Sequence, residues 1–462
     1  MQTTFLRNSV RIVVKTLRKS VSFIFVCGLY YDMTDSTDEI KQVMIKYETL
    51  IPKAVFQRDL ILPELKFDKA NIIIGPRRSG KTYYLYYLIN KLNPGYKSVY
   101  INFEDNRLPN LDKSGLNLIL DCAKELYGDK LIFFLDEIQN IDNWENFIIS
   151  LLNEHHKVYI TGSNSKLLSK DIATSLRGKS LSYLLLPFSF SEIVSYKLGK
   201  LEKEWANSKK VYTVKKIFKD YFLYGGFPEV FLADGLEIKN KLINNYFELV
   251  LYKDLVERLN IKNIKLVEVI MKYVLNLFGN NFSISVFENY LKSNKIAYSL
   301  EDLYLILYSL QDVFLIYYLR EYSKSYKKTE VSKSKTYLFD LGYIRFIARE
   351  SEDNGRILEN LVFIELYRHL DSINVPKLFF YKSPKGYECD FVLENNGKID
   401  QAIQVTYNLD VKNKTREING LLGALNNFNL KSGLILTYDQ EEIIKQDNKT
   451  IYVKPVWKWL LE

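Results

Sequence analysis

Short apolar runs alternate with segments of helical pattern between residues 71 and 197. Five of these runs have the length of buried strands: Asn71–Ile74, Ser98–Phe103, Leu131–Leu135, Val158–Thr161 and Leu181–Leu185. Strands that alternate with helices in this way predict a parallel sheet with helices on both faces. Such sheets bind ligands at the carboxyl ends of their strands, so we expect a functional site among the residues that follow each run.

The pattern predicts three further regions along the chain. Residues 201–261 are helical in pattern, with a tight turn at Tyr224–Glu229, and we expect them to form a lid. Residues 262–345 have the order of a winged-helix-like module, with three helices followed by two strands. Residues 346–462 have the order helix, three strands, helix and strand, with a final strand near Ile451–Val453.

The first apolar run is followed at once by the sequence G-P-R-R-S-G-K-T and then by a helical segment. Glycines let such a loop turn its backbone N–H groups toward phosphates, and the helix N-terminus adds positive potential. Lys81 can reach the β- and γ-phosphates, and the Thr82 hydroxyl is a ligand for Mg²⁺. The predicted nucleotide-binding residues are Gly75, Pro76, Arg77, Arg78, Ser79, Gly80, Lys81 and Thr82. We therefore expect an α/β fold built on a P-loop NTPase sheet, with ATP and Mg²⁺ as cofactors.

Two acids follow the third apolar run. Asp136, at the end of a buried strand, is placed to hold Mg²⁺ through its water shell. Glu137 is then placed to polarise the water that attacks the γ-phosphate. The alternative is a strand that ends in a solvated acidic turn.

Polar residues near other strands are further candidates. Asn164 or Ser163 would lie beside the γ-phosphate and orient the water, and Asn102 would hydrogen-bond Glu137 and hold it away from that water. Arg177 would act as an arginine finger on a neighbouring subunit's nucleotide, or would be solvated. Asn and Ser at strand ends are also ordinary turn residues.

Composition narrows the class of protein. The chain has 462 residues, three cysteines and three histidines, which implies no disulfide framework and no histidine-based site and fits a cytoplasmic protein. The net charge is +9, but residues 1–32 carry five basic residues against Asp32 alone, so the excess elsewhere is small. The apolar stretch at 21–31 is shorter than the roughly 20 residues that span a bilayer, so we expect no stable membrane insertion. We interpret residues 1–32 as an unstructured upstream extension, with the natural start at Met33.

Several motifs carry a resemblance to a known family. They are Gly75–Thr82, Tyr100–Asp105, Leu135–Gln139, Thr161–Ser163, Pro187–Phe190 and Tyr224–Glu229. Together they resemble prokaryotic, archaeal-type AAA ATPases in which the ATPase domain is fused to a C-terminal domain of unknown function. The resemblance runs from about Val55 to the C-terminus, and it implies ATP binding and hydrolysis without naming a substrate. With the pattern above, it divides the chain into an ATPase domain at 33–200 followed by the three regions.

The element order of residues 346–462 resembles the restriction-endonuclease-like core. That family places a Glu on the first helix, an Asp at the start of one strand and Glu-x-Lys on the next, around a divalent metal. The matching residues here are Glu359, Asp390, Gln404 and Thr406. Gln is a poor ligand for Mg²⁺ and Thr brings no positive charge. The resemblance therefore implies a degenerate nuclease site, with cleavage absent or very weak.

DNA is a candidate partner through non-specific backbone contacts. The third helix of the winged-helix-like region begins Glu301-Asp302 and has no Lys or Arg up to Val313, so it would repel phosphate. The linker between the two strands is basic, with Arg320, Lys324, Lys327, Lys328, Lys333 and Lys335. A basic wing tip on the DNA backbone and a solvated loop are both compatible with this linker.

The leading hypothesis is a Mg²⁺-dependent AAA-type ATPase that acts as a molecular switch on DNA or a protein partner, with self-assembly as a further option. The alternatives are an ATP-gated DNA-processing nuclease and a nucleotide-bound scaffold with little turnover. The Asp136-Glu137 pair argues against the scaffold, and Gln404 with Thr406 argues against the nuclease.

Overall fold

The computed structural model describes residues 37–64, 67–92, 95–108, 113–164, 174–202, 204–325, 327, 329, 333–346, 353–370 and 377–462. The expected extension at 1–32 and Lys328 of the basic linker lie outside these residues. In the part of the chain that is described, no helix is long and apolar enough to cross a membrane.

Five parallel strands form the first sheet. They are β1 (Ala70–Ile74), β2 (Lys97–Asn102), β3 (Leu131–Asp136), β4 (Lys157–Gly162) and β5 (Ser180–Leu184), in the order β2-β3-β4-β1-β5. Each strand begins and ends within one residue of its prediction, and the predicted parallel sheet is confirmed. The helices of this region are α1 (37–50), α2 (Lys81–Asn90), α3 (Lys113–Tyr127), α4 (Trp144–Asn153) and α5 (Phe190–Leu198). All six residues of β3 are buried because helices cover both faces.

Helices follow the sheet, as expected for residues 201–261. They are a 3-10 turn (Trp205–Asn207), α6 (Lys210–Tyr224), α7 (Pro228–Leu232) and α8 (Leu236–Leu249). The last helix continues without a break as a π-helical segment, Val250–Glu257. Widened turns of this kind are rare and are often found at functional sites.

Residues 262–345, which we call the middle module, contain three helices and a small antiparallel sheet. The elements are α9 (Ile264–Asn276), β6 (Asn281–Phe282), α10 (Ile284–Ser293), α11 (Leu300–Asp312), β7 (Ile316–Arg320) and β8 (Ser334–Leu338), with strand order β6-β8-β7. A 3-10 helix, Leu341–Phe346, leads out of the module. The two-residue strand β6 was not predicted. One face of α11 is buried through Leu303, Ile306 and Leu310, so this helix packs into the interior.

Residues 346–462, which we call the C-terminal module, form a six-stranded sheet in the order β13-β14-β12-β11-β10-β9. The elements are α12 (Asn354–Arg368), β9 (Lys377–Lys382), β10 (Glu388–Asn395), β11 (Lys398–Val405), α13 (Lys414–Asn427), β12 (Ser432–Thr437), β13 (Glu442–Gln446), β14 (Lys449–Pro455) and α14 (Val456–Trp459). The helix, three-strand, helix, strand order predicted from the sequence is present. Strand β13 was missed because it is an exposed edge strand that lacks a buried apolar face.

A buried carboxylate joins the lid region to the middle module. Asp340, just after β8, accepts hydrogen bonds from the backbone N–H groups of Gly226 and Gly342, each at 2.8 Å. A Cβ on Gly225 would come within 1.9 Å of that carboxylate, and one on Gly226 would come within 2.2 Å of the Phe188 carbonyl. Burial raises the pKa of Asp340 to about 7, although both N–H donors act against the shift. The Gly-Gly turn, Gly225-Gly226, therefore accommodates the Asp340 side chain only because neither residue has a Cβ.

We predict that Gly226→Ala destabilises the protein by roughly 2–4 kcal/mol, because the new methyl group meets rigid backbone. Chemical denaturation measures the effect. Gly95→Ala is the matched control, since its Cβ would meet nothing within 4 Å, and it should cost less than about 0.5 kcal/mol. Equal stabilities of the two variants would contradict the fitted turn.

Candidate nucleotide-binding site

The loop between β1 and α2 is shaped for close approach of a ligand. Gly80, which precedes α2, has φ 94°, in the left-handed region that favours glycine. A Cβ on Gly75 would lie 2.1 Å from the carbonyl oxygen of Leu185, so the start of the loop also requires glycine. No described side chain caps the N-terminus of α2. The N–H groups of its first turn are thus open to an anion.

Lys81 and Thr82 begin α2 and face the end of β3. The Lys81 ammonium is buried, donates to the carbonyls of Gly75 and Pro76 at 3.2 and 3.0 Å, and lies 3.5 Å from the Glu137 carboxylate. The Thr82 hydroxyl donates to Asp136 at 2.7 Å. The side chains predicted for phosphate and metal binding therefore meet in one place.

Asp136 is fully buried and accepts three side-chain hydrogen bonds. The donors are Thr82, Tyr100 at 2.7 Å, and Thr161. Burial raises the pKa of Asp136, and the neighbouring charge of Glu137 adds to the shift, while the three hydroxyls oppose it. Tyr100 and Thr161 lie on flanking strands and were not predicted, because their role depends on which strands are neighbours.

Glu137 is held in a strained position with its carboxylate aimed at Lys81. Its φ of 53° is unusual for a residue other than glycine. Burial alone would raise the pKa of Glu137, but the Lys81 charge and a hydrogen bond from Gln139 at 2.5 Å lower it below the usual value. The carboxylate is thus ionised at neutral pH.

The hydrogen-bond partner of Glu137 is not Asn102, as the sequence predicted. Asn102, at the end of β2, lines the same cleft, but its side chain accepts a hydrogen bond from the backbone N–H of Glu104 at 2.8 Å. Gln139, rather than Asn102, donates to Glu137. Gln139 follows Glu137 by two residues in a 3-10 turn, which brings its amide back over the carboxylate.

Of the other predicted residues, one lines the cleft and two do not. Ser163 lines the cleft and lies 3.4 Å from the Gln139 amide. Asn164 is buried just beyond β4, but among the described residues it is not part of the cleft wall. Arg177 lies in an exposed turn with φ 52°, outside the cleft of its own chain.

The cleft over this site has a volume of about 1250 Å³ and two walls. Loop residues between 77 and 82 and the ends of β2, β3 and β4 form one wall, and the lid region contributes eight residues between 228 and 258 to the other. A charged contact joins the walls, because Arg77 donates to both oxygens of Asp254 at 2.9 Å and to Glu104 at 3.0 Å. Asp254 lies in the π-helical segment, which therefore faces the phosphate-binding loop.

Four aromatic rings pack in a cycle at the side of the cleft. Phe56, Phe188, Phe231 and Tyr196 contact one another edge to face, with centroids 5.3 to 6.1 Å apart. Phe56, Phe188 and Tyr196 line the cleft. The site therefore has a charged part at the loop and an apolar part at these rings.

Arg58 joins the loop to the segment that runs from the end of β5 into α5. It donates to the Ser79 carbonyl at 2.9 Å, to the Leu186 carbonyl at 2.7 Å and to Glu192 at 2.8 Å. Arg58 and Glu192 are 4% and 2% exposed, so the ion pair is shielded from water. A capping box at the start of α5 holds Glu192 in place through Ser189. The sequence offered no signal for Arg58, because its partners lie far along the chain.

The second predicted site, in the C-terminal module, is partly assembled. Glu359 and Asp390 converge on the ammonium of Lys335, at 2.9 and 3.2 Å. Gln404 is buried beside them and donates to Glu417 at 2.7 Å. The Thr406 hydroxyl instead donates to the Asn408 carbonyl at 3.1 Å.

Lys335 corrects one expectation drawn from the sequence. It is not part of a basic wing tip, because it lies in β8 and is 5% exposed.

The described residues contain no group of three or more His, Cys, Asp or Glu side chains placed to hold a metal ion.

Comparison with known proteins agrees with this architecture. A family model described as an AAA domain matches residues 67–194, and two domains of unknown function, DUF8612 and DUF4143, match residues 215–354 and 354–459. An uncharacterized protein of Methanocaldococcus jannaschii is 39% identical over 445 residues, covering 93% of this chain and 96% of its own. The chain belongs to the same family as this archaeal protein, and it contains an AAA domain. The predicted P-loop ATPase domain of the AAA type is confirmed, whereas the restriction-endonuclease-like core stays a prediction.

Two more distant similarities complete the comparison. An uncharacterized protein of Haemophilus influenzae is 28% identical over 427 residues, covering 89% of this chain and 100% of its own. The solved structure of a Walker-type ATPase of Pyrococcus abyssi is 14% identical, with a TM-score of 0.39 over 61% of this chain and 91% of that one. At that TM-score the structural similarity says nothing about the function of this chain.

We predict that Arg58→Met destabilises the ATPase domain by about 3–5 kcal/mol, because it leaves the buried Glu192 without its cation. Urea denaturation measures the change in the free energy of unfolding. The control is Arg107→Met, which removes a more exposed pair with Asp105 and should cost less than about 1 kcal/mol. A loss for Arg58→Met no larger than for Arg107→Met would contradict the role of Arg58.

Proposed function

We propose that this chain binds and hydrolyses ATP as a Mg²⁺-dependent molecular switch. The observation that carries the proposal is the meeting of Lys81, Thr82, Asp136 and Glu137 within hydrogen-bonding or ion-pairing distance at the open end of a parallel sheet. Phosphate ligands, a metal ligand and a general base are the parts that phosphoryl transfer to water requires.

The residues fit a magnesium ion at this position. The Thr82 hydroxyl and the Asp136 carboxylate are oxygen ligands of the kind that Mg²⁺ prefers, and they lie 2.7 Å apart. The side chains that hydrogen-bond the carboxylate are all hydroxyls, so none of them is a cation. With ATP bound, Mg²⁺ would be held by these two residues and would neutralise charge on the phosphates.

Glu137 is proposed to be the base that activates the attacking water. Its carboxylate is ionised and close to Lys81 in this state. ATP phosphates compete for the Lys81 ammonium, so nucleotide binding would weaken the ion pair and release Glu137 toward water. Gln139 and Ser163, which lie 3.4 Å apart beside Glu137, would orient that water, the function that the sequence suggested for Ser163 or Asn164.

The apolar part of the cleft supports binding of the nucleobase. Phe56, Phe188 and Tyr196 provide flat, apolar surface there, and aromatic rings of this kind stack with bases. The Arg77–Asp254 contact joins the phosphate loop to the lid, so a change of charge at the phosphates would alter the attachment of the lid. This is the physical basis of the proposed switch.

The other regions remain proposals. We propose the domain boundaries 33–200, 201–261, 262–345 and 346–462, with a winged-helix-like middle module and a restriction-endonuclease-like C-terminal module that lacks activity. The cargo is a DNA backbone or a protein partner. With Lys335 buried, the basic linker contributes less charge to DNA binding than its composition suggests. Nuclease activity is disfavoured by Gln404, whose amide contacts Glu417 in place of a metal.

We predict that Glu137→Gln retains ATP binding but lowers turnover at least ~10²-fold, because it removes the base and keeps the shape. Lys81→Ala should instead weaken binding itself, because the ammonium would pair with the β- and γ-phosphates. Equilibrium binding of ATP and steady-state phosphate release distinguish the two variants. Normal turnover by Glu137→Gln would show that another group is the base.

We predict that Arg177, exposed and outside its own cleft, acts on the nucleotide of a neighbouring subunit. Activity per subunit should then rise with protein concentration. Inactive Arg177→Ala and Lys81→Ala variants should recover activity when mixed, because a hybrid interface pairs an intact loop with an intact arginine. Turnover by a monomer that does not depend on concentration would exclude this role.

A further inference from the structure

A buried cluster of one ammonium and three carboxylates lies between the middle and C-terminal modules. Lys335 is within 2.9 Å of Glu359, 2.6 Å of Glu388 and 3.2 Å of Asp390. The side chains of Lys335, Asp390 and Glu359 are 6%, 8% and 12% exposed, whereas that of Glu388 is 30% exposed. The cluster is therefore sealed except on the Glu388 side.

The carboxylates and the ammonium come from different modules. Lys335 lies on β8, in the middle of a sheet, where its backbone is paired with β6 and β7. Glu359 lies on α12, and Glu388 and Asp390 lie on β10 of the C-terminal module. The ammonium thus crosses the boundary between modules to reach its partners.

Lys335 is charged in this environment. Burial alone would lower its pKa, but Glu359, Asp390 and Glu388 raise it well above the usual value. Burial raises the pKa of Asp390 to about 8, and Glu359 adds to the shift while Lys335 opposes it. Tyr337, also on β8, donates a hydrogen bond to Glu359 at 2.5 Å. Both side chains lie on β8 and contact acids of the C-terminal module, Lys335 as a cation and Tyr337 as a neutral hydrogen-bond donor.

We infer that Lys335 is a tethered cation that occupies the acid cluster of the C-terminal module and locks the middle module onto it. The ammonium lies between Glu359 and Asp390, where the proposed restriction-endonuclease-like fold would bind metal, and it excludes a divalent ion by charge and by volume. Gln404 links Asp390 to Glu417. Its side-chain carbonyl accepts a hydrogen bond from the backbone N–H of Asp390, and its amide donates one to Glu417. A glutamate at 404 would bring a second carboxylate against Glu417. This inference does not depend on the proposed ATP hydrolysis, but its metal position rests on the restriction-endonuclease-like fold proposed above.

The lock is tested by Lys335→Met in the full chain without nucleotide. Breaking a buried ion pair on one side leaves uncompensated charge, so the thermal midpoint should fall by about 5 °C or more. Millimolar Mn²⁺ should restore part of that loss, and electron paramagnetic resonance should count one more bound Mn²⁺ in the variant than in the wild type. Sites elsewhere in the chain are common to both proteins and cancel in the comparison.

Three further variants make the test decisive. Lys414→Met removes an exposed ion pair with Glu442 within the C-terminal module. It should change neither the thermal midpoint nor the number of bound Mn²⁺ ions. Lys335→Met with Glu359→Gln removes charge on both sides, so it should be more stable than Lys335→Met alone. The inference is overturned if that double variant is no more stable than the single one, including the case in which neither folds. It is also overturned if the wild type binds a Mn²⁺ that Asp390→Asn removes.

Discussion

Charged side chains that are buried away from water are the constraint on which this structure depends. Removing a charge from water costs several kcal/mol unless an opposite charge with good geometry meets it. Here the opposite charges come from remote parts of the chain, 134 residues away for Arg58 and Glu192 and 177 for Arg77 and Asp254. Each such pair fixes two segments relative to each other, because the planar guanidinium presents its donors in a rigid fork.

The nucleotide site follows from this constraint together with the strand order. Strand β4 separates β1 from β3, so the carboxylate of Asp136 faces the first turn of α2 from across β4. Thr161 on β4 and Tyr100 on β2 then reach the same carboxylate from its two neighbouring strands. A single buried acid thereby links three strands through side-chain hydrogen bonds at the edge where the nucleotide would bind.

Local chemistry was predictable from the sequence, and long-range pairing was not. Lys81, Thr82, Asp136 and Glu137 could be placed because each lies next to a strand whose apolar pattern is clear. Arg58 and Asp254 left no local signal, since their partners depend on which segments meet in space. Lys335 was misplaced for the same reason, because a lysine among other basic residues has the composition of a solvated linker. Asn102 was a reasonable partner for Glu137 by strand adjacency, but the 3-10 turn brings Gln139 closer.

Strand β8 and the residues after it have a consequence for how this architecture can be recombined. Lys335 is bound to the C-terminal module, and five residues later Asp340 is bound by the Gly-Gly turn of the lid region. A chimera that exchanges C-terminal modules between relatives at residue 346 would retain Lys335 and supply foreign acids to meet it. A junction before β8 would instead retain the Gly-Gly turn, and the residue that meets it at position 340 would come from the other relative. Since both contacts are buried, neither junction is neutral, and the strand should be inherited together with both of the surfaces that it joins.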